Sequence, residues 1–297
     1  MADFGRYASV VFGDNEKTFE HGPASLLTVE FEVRHQFQTF RSVSLRLVNP
    51  NDDTIAKCEP KQVDEKTTPQ TIALTAGYLE SQDREKISGV IKSFEVEKSG
   101  AERILKIEMT ELPKWNPDAI NKVAQNLDTE FKLTAFIKGL TIREDLADAP
   151  IAEVVFGEFK AIKKILVSAE KPLKAVENIA KQTRSLFYFR NGRLHLAPED
   201  LPASDDEAII NKQNGMLETP KRFLIPKKRK KKGDELAPDV GYIVRTIYKP
   251  LLTVGHTVAF EATIGAGKQT LRGVIIESDK AFSTYGEASS TFKVKAA

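Results

Sequence analysis

The chain has 297 residues, long enough for two or three small domains, with 44 Lys plus Arg against 42 Asp plus Glu. Near-zero net charge argues against general nucleic-acid binding, and the single cysteine, Cys58, excludes an internal disulfide and a cysteine-built metal site. No apolar run is long enough for a membrane span, and Met1-Ala2-Asp3-Phe4 lacks the features of a signal peptide, so folding in a cytoplasm is expected.

The first segment, residues 1–112, reads as β. Tyr7 to Phe12 is a short apolar run, and Leu27 to Arg34 and Val43 to Leu47 alternate strictly between apolar and polar residues. Ile72 to Thr75, Val90 to Val96 and Ile104 to Met109 follow, with Ser99-Gly100 as the turn between the last two. Period two with polar partners predicts antiparallel strands with one covered face, and the edges of such a sheet need protection. Between these strands, Thr54 to Lys57 reads as a short helix.

Residues 113–198 read as a small α/β insertion. Asn116-Pro117 predicts a helix start, with Ala119, Ile120, Val123 and Leu127 at helical spacing. Phe131 to Ile142 and Ile151 to Val167 are β-like. Lys171-Pro172 opens a second helix with Leu173, Val176, Ile179 and Ala180 on one face. Asn191-Gly192, between Phe187-Tyr188-Phe189 and Arg193-Leu194-His195-Leu196, is the strongest hairpin signal in the chain. Residues 199–297 return to β, with strands expected over Val244–Tyr248, His256–Thr263, Leu271–Glu277 and Thr291–Lys295. Two β regions around an insertion have the form of a duplicated design, although no residue-level repeat is evident between them. The fold class is therefore α+β, mainly antiparallel β.

Candidate chemistry is sparse. Gly265-Ala266-Gly267-Lys268-Gln269-Thr270 looks like a phosphate loop but has Ala262 and Gln269 where that motif needs Gly and Ser or Thr, so a glycine-rich hairpin turn is expected. His21, His35, His195 and His256 lie far apart, without carboxylates or a second histidine at ligand spacing. Cys58 follows Lys57 near a short helix, a position that can lower a thiol pKa. Glu30 and Glu32 share a strand face, and Asp205 and Asp206 are adjacent; neither arrangement flanks a substrate from two sides as glycosidase chemistry requires. No catalytic, cofactor or metal site is expected. The one strong charge block is Lys227, Lys228, Arg229, Lys230, Lys231 and Lys232, within a basic loop at 226–233. It reads as a solvated insertion, as a match to a nuclear-localisation pattern, or as a patch for DNA or an acidic partner.

Two groups of short motifs carry a resemblance. One is Leu45-Arg46-Leu47-Val48-Asn49, then Thr54-Ile55-Ala56-Lys57, Ile72-Ala73-Leu74-Thr75-Ala76-Gly77-Tyr78 and Ile87-Ser88-Gly89-Val90-Ile91. The other is Asn214-Gly215-Met216 to Pro220, then Gly241-Tyr242-Ile243-Val244 and Pro250-Leu251-Leu252-Thr253-Val254-Gly255. Physically the second group is turn, strand, proline-stopped loop and glycine turn. Their order and spacing resemble the baseplate hub proteins of contractile phage tails and related injection machines.

The resemblance implies two tail-tube-like β domains, 1–112 and 199–297, around the insertion. It implies a homotrimer that joins a sixfold tail tube to a threefold central spike and forms part of the DNA-ejection channel. The implied partners are the spike protein, the tail tube protein, the tape-measure protein, passing DNA and other baseplate proteins. The implied location is the virion baseplate, after assembly in the host cytoplasm. Against this stand two other classes: a cell-wall-degrading tail subunit, which needs converging acids or a histidine-built metal site, and a carbohydrate-binding tail protein, which needs exposed aromatic platforms. The single Trp115 sits at an expected domain junction.

Overall fold

Along residues 28–36, Val29, Phe31, Val33 and His35 are buried while Glu32 and Arg34 are exposed, so the alternation in the sequence becomes a strand with one covered face. The computed structural model describes residues 5–13, 16–21, 28–59, 61–63, 66–68, 70–81, 83–111, 120–141, 151–154, 156, 162–170, 172–190, 193–198, 207–226, 238–264 and 267–296. In chain order the elements begin with β1 (Arg6–Phe12), β2 (Glu16–His21), β3 (Thr28–Gln36), β4 (Ser42–Val48) and helix α1 (Asp52–Ala56). Next come β5 (Lys61–Val63), β6 (Lys66–Thr68), β7 (Thr71–Tyr78), β8 (Arg84–Ser99) and β9 (Glu102–Glu111). The middle holds β10 (Ile120–Leu127), α2 (Glu130–Thr141), β11 (Ile151–Val154), β12 (Ile162–Glu170), α3 (Pro172–Gln182), β13 (Ser185–Arg190) and β14 (Arg193–Pro198). The last part holds β15 (Glu207–Ile210), β16 (Lys221–Ile225), β17 (Asp239–Ile247), β18 (Thr257–Ile264), β19 (Gly267–Ser283) and β20 (Ser289–Ala296). The fold is α+β and mainly antiparallel β.

Residues 1–36, 41–112 and 205–297 form one compact unit, and residues 37–40 with 113–204 form a second. The first is built on a 13-stranded sheet whose main path runs β16-β17-β20-β19-β3-β4-β9-β8-β7-β1-β2, with β18 beside β19 and β15 beside β18. The two β regions of the sequence therefore share one sheet, joined where β19 pairs antiparallel with β3 from Glu277↔Gln36 to Ser283↔Glu30. Phe31, Phe282 and Tyr248 pack at this junction, Phe31 stacking on Phe282 at 5.0 Å between ring centroids.

The register of this sheet reveals a residue-level repeat that the sequence reading did not find. Thr71-Ile72-Ala73-Leu74-Thr75-Ala76 on β7 corresponds to Thr257-Val258-Ala259-Phe260-Glu261-Ala262 on β18. Ile72 lies opposite Gly89 as Val258 lies opposite Gly273, and each glycine opens a Gly-Val-Ile run on a long strand. Each run is followed by the same irregularity, with the register shifting between Ile91 and Ser93 on β8 and between Ile275 and Glu277 on β19. A Cβ on Gly89 would collide with the Thr110 carbonyl, and a Cβ on Gly273 with the Lys295 carbonyl, so both positions require glycine for close backbone approach. Following the pairing outward, β9 corresponds to β20, β4 to β17 and β3 to β16.

The second unit is α/β. Its strands pair β11-β14-β13, with β11 parallel to β14, and separately β10-β12. Val176, Ile179 and Ala180 of α3 join Leu133, Ile137, Phe187, Phe189, Leu194 and Leu196 in its core. The turn Phe37–Phe40 belongs to this unit: the Gln38 N–H donates to the Phe187 carbonyl at 2.9 Å, and Phe40 stacks on Phe189.

Two expectations in this region are corrected. Ile120 to Leu127, read as helical, is a strand antiparallel to β12, with a register shift between Ile120 and Lys122; pairing with β12 overrides the helical spacing of its apolar residues. Phe131 to Ile142, read as β, is largely helix α2. There Leu133 and Ile137 are fully buried while Phe131 is exposed, and Thr129 and the Asp128–Lys132 ion pair support the first turn. Helix α3 and the hairpin of β13 and β14 form where expected; Asn191 and Gly192 themselves lie outside the described residues.

Candidate functional site

Beneath the β3–β19 junction lies a closed set of buried charges. Arg41 follows the β3–β4 turn and donates to Glu111, from Nε to Oε2 at 2.8 Å and from Nη2 to Oε1 at 2.5 Å, a bidentate pair. Its Nη1 donates to Glu85 Oε1 at 3.1 Å. The other oxygen of Glu85 accepts from Lys280 Nζ at 2.9 Å and from the Tyr248 hydroxyl at 2.9 Å. Lys280 also donates to the Pro250 carbonyl at 2.8 Å. Arg41, Glu85 and Glu111 come from the first half of the sheet, and Tyr248 and Lys280 from the second.

Two cations balance two anions, and the side chains of Arg41, Glu85, Glu111 and Lys280 are at most 5% exposed. Burial disfavours the charged guanidinium of Arg41, but Glu111 and Glu85 outweigh it and raise the pKa. Burial lowers the pKa of Lys280 against the opposing pull of Glu85. Burial, reinforced by Glu85, holds the Tyr248 phenol well above its ordinary pKa. Nearby, burial together with Arg41 and Lys280 keeps His35 well below its ordinary pKa, and its Nδ1 lies 2.8 Å from Thr253 Oγ1. The arrangement ties the two halves of the sheet together, because Glu85 of the first half is bonded to Arg41 of the same half and to Lys280 and Tyr248 of the second.

Sequence reading missed this network. Its members are far apart in the chain, and each looks like an ordinary polar residue of an alternating strand or turn. Arg41 after an aromatic residue carries no signal of its own.

The residues singled out from sequence fall elsewhere. Lys227 to Lys232 lie outside the described residues, as do Asp205, Asp206 and Trp115. Glu30 pairs with Arg46, and Glu32 lies 3.4 Å from Arg34, a partly solvated strand face as expected. Along that face a groove of about 370 Å³ is lined by Glu32, Arg34, Glu277 and Asp279, which mix both signs of charge. Among the described residues no three His, Cys, Asp or Glu side chains gather at metal-holding distance.

Cys58 is buried, and burial pushes its thiol up to about 12, the opposite of the lowering that its place after a short helix allows. Gly265 and Ala266 lie outside the described residues; Gly267 to Thr270 begin β19, with Ile264 opposite Gly267, so Lys268 stands on a strand, not at the start of a helix.

No protein-family model matches the chain, and no curated protein matches it in sequence. Solved structures do match. A type VI secretion component of Escherichia coli, described as structurally similar to the bacteriophage T4 tail proteins gp27 and gp5, aligns with TM-score 0.59 at 12% identity, over 93% of this chain and 76% of that one. The tail protein of Neisseria meningitidis aligns with TM-score 0.57 at 12% identity, over 98% and 97% of the two chains. The 43 kDa tail protein of prophage MuSo2 from Shewanella oneidensis aligns with TM-score 0.57 at 10% identity, over 96% of each. The chain thus has the fold of these tail and type VI secretion proteins.

Proposed function

We propose that this chain is the structural hub of a tail baseplate, a homotrimeric ring that joins a sixfold tail tube to a threefold central spike and forms part of the ejection channel. The observation that carries this reading is the internal repeat within an end-to-end match to tail proteins. A chain holding two copies of one strand unit supplies six similar domains from three copies, which is the step in symmetry that such a junction needs. The two tube-like domains of the proposal are the two halves of the large sheet, centred on β7–β9 and on β18–β20.

In this reading the work is geometric and electrostatic, not catalytic. Spike, tube, tape-measure and neighbouring baseplate proteins are the partners, and the location is the virion. The loop Lys227, Lys228, Arg229, Lys230, Lys231 and Lys232, repeated three times around one axis, faces the lumen and its DNA or meets an acidic neighbour, since uncompensated copies repel one another. The test is the mass of the chain purified with its spike and tube neighbours, by light scattering. Three copies per complex support the reading, and two or six overturn it.

A further inference from the structure

We infer that His35 is an acid-sensitive latch. Neutral, its ring holds the connection between β17 and β18, residues 248–256, against the β3–β19 junction; charged, it lets that connection go. The inference goes beyond the hub reading and does not depend on it.

His35 stands on β3 opposite Ser278 of β19, on the covered face of the sheet, and is 1% exposed. Its Nδ1 lies 2.8 Å from Thr253 Oγ1, and its Nε2, also buried, has no hydrogen-bond partner among the described residues. A neutral ring carries one N–H, and with that proton on Nδ1 the Thr253 hydroxyl accepts it and no donor is left over. A charged ring carries two. The second, on Nε2, has no acceptor in a site closed to water.

The charges around the ring have the wrong sign to help. Arg41, before β4, and Lys280, on β19, both disfavour the imidazolium. Their counterions, Glu111 on β9 and Glu85 on β8, are already bonded to them, and the Tyr248 hydroxyl after β17 donates to Glu85. On the far side of Thr253 the titratable group is His256, whose Nδ1 accepts from the Thr253 N–H at 3.2 Å.

A proton on His35 therefore requires water at the ring, and part of its cover must move. The β3–β19 ladder runs unbroken from Glu277↔Gln36 to Ser283↔Glu30. The connection is held by separate contacts instead. The Lys249 N–H donates to Ser290 Oγ at 3.0 Å, the Pro250 carbonyl accepts from Lys280 at 2.8 Å, and the Gly255 N–H donates to the Ile275 carbonyl at 2.9 Å. With Thr253 these make a short, local unit, and such a unit opens before a long ladder does. Carried through the repeat, the counterpart of His35 on β16 is Leu224, which is 59% exposed and takes up no proton, so the latch occurs once per chain.

The experiment is amide hydrogen exchange on the full chain at pH 7 and pH 5, corrected for the intrinsic effect of pH on exchange. A ring that titrates near 6.5 when open and stays neutral when closed raises the open population by about 10- to 25-fold over that range. Protection at the Gly255 and Ile275 amides is expected to fall by that factor, while amides of the β4–β9 ladder stay at least about tenfold better protected. A change under about twofold at Gly255 and Ile275 overturns the latch. Equal protection of connection and ladder at pH 5 also overturns it, because the chain then opens only as a whole. His35→Gln is expected to remove the pH dependence and His256→Gln to keep it; the reverse assigns the effect to His256 and overturns the proposal. Should His35→Gln fail to fold, the ring of His35 in the parent chain decides, followed by NMR. A ring still neutral at pH 5 in the closed form supports the latch, and one that titrates near 6.5 with the connection still protected overturns it.

Discussion

The two halves of the large sheet have the same strand order about β8 and β19, the same glycine and the same register shift, yet they end differently. In the second half, the far part of β19 is sealed by β3 over a neutral set of four buried charges. In the first half, the matching edge of β8 has no described strand beside it, and the counterparts of the network are of another kind: Val96 on β8 stands where Lys280 does, and in the second half Gln269 stands where Glu85 does and Ala296 where Glu111 does. The ionic lock therefore exists once per chain. A junction made within one chain forms at high effective concentration and tolerates the desolvation of charges, while the matching edge of β8 carries Val96, 37% exposed, and exposed charged groups.

The sharpest way to break this comparison is to remove the lock. Arg41→Met leaves Glu111 and Glu85 without their shared cation and is expected to cost about 3–5 kcal/mol, read as a lower urea midpoint with unchanged slope. A loss under about 1 kcal/mol would mean that the network is incidental to the junction.

The repeat itself is tested by its glycines. Gly89→Ala and Gly273→Ala each force a methyl into a facing carbonyl and are each expected to cost about 1–3 kcal/mol. Similar losses support equivalence; a large loss at one site and none at the other would separate the two halves.

His35 sharpens the comparison through pH. Its folded pKa lies below the ordinary value near 6.5, so the unfolded chain takes up the proton first. The stability it contributes is complete above about 6.5 and is lost as pH falls through that value towards the folded pKa. Between about pH 7 and 5 the difference in stability between the parent chain and His35→Gln should shrink as pH falls; a constant difference would show that His35 is not held neutral.

The smallest effect belongs to the open edge. Val96→Thr is expected to change the stability of the isolated chain by no more than about 0.5 kcal/mol, whereas Lys280→Thr at the matching position strands Glu85 and is expected to cost several times more.

Much of the sheet was legible in the sequence because half-buried strands announce themselves: Leu27 to Arg34 and Val43 to Leu47 alternate without a break and become β3 and β4. The insertion was less legible. Ile120, Val123 and Leu127 fit a helix as well as a strand, and only pairing with β12 decides between them. The repeat escaped notice because its identical residues are few, Thr-x-Ala-x-x-Ala and Gly-Val-Ile, and their spacing differs between the halves; the ladder supplies the alignment that the letters do not. The ion network was illegible for a different reason. Glu85 and Lys280 sit on strands of opposite halves, and no local pattern marks a charge that will be buried. The basic loop Lys227–Lys232 stays a sequence observation.

The central claim is that the two halves of one chain are alternating units of a ring. The most direct measurement is the rotational symmetry of the assembled complex by electron cryo-microscopy, resolved layer by layer. The account predicts true threefold symmetry with a strong sixfold component confined to the layer containing β7–β9 and β18–β20. A threefold particle lacking that sixfold component, or a particle with twofold symmetry, would contradict it.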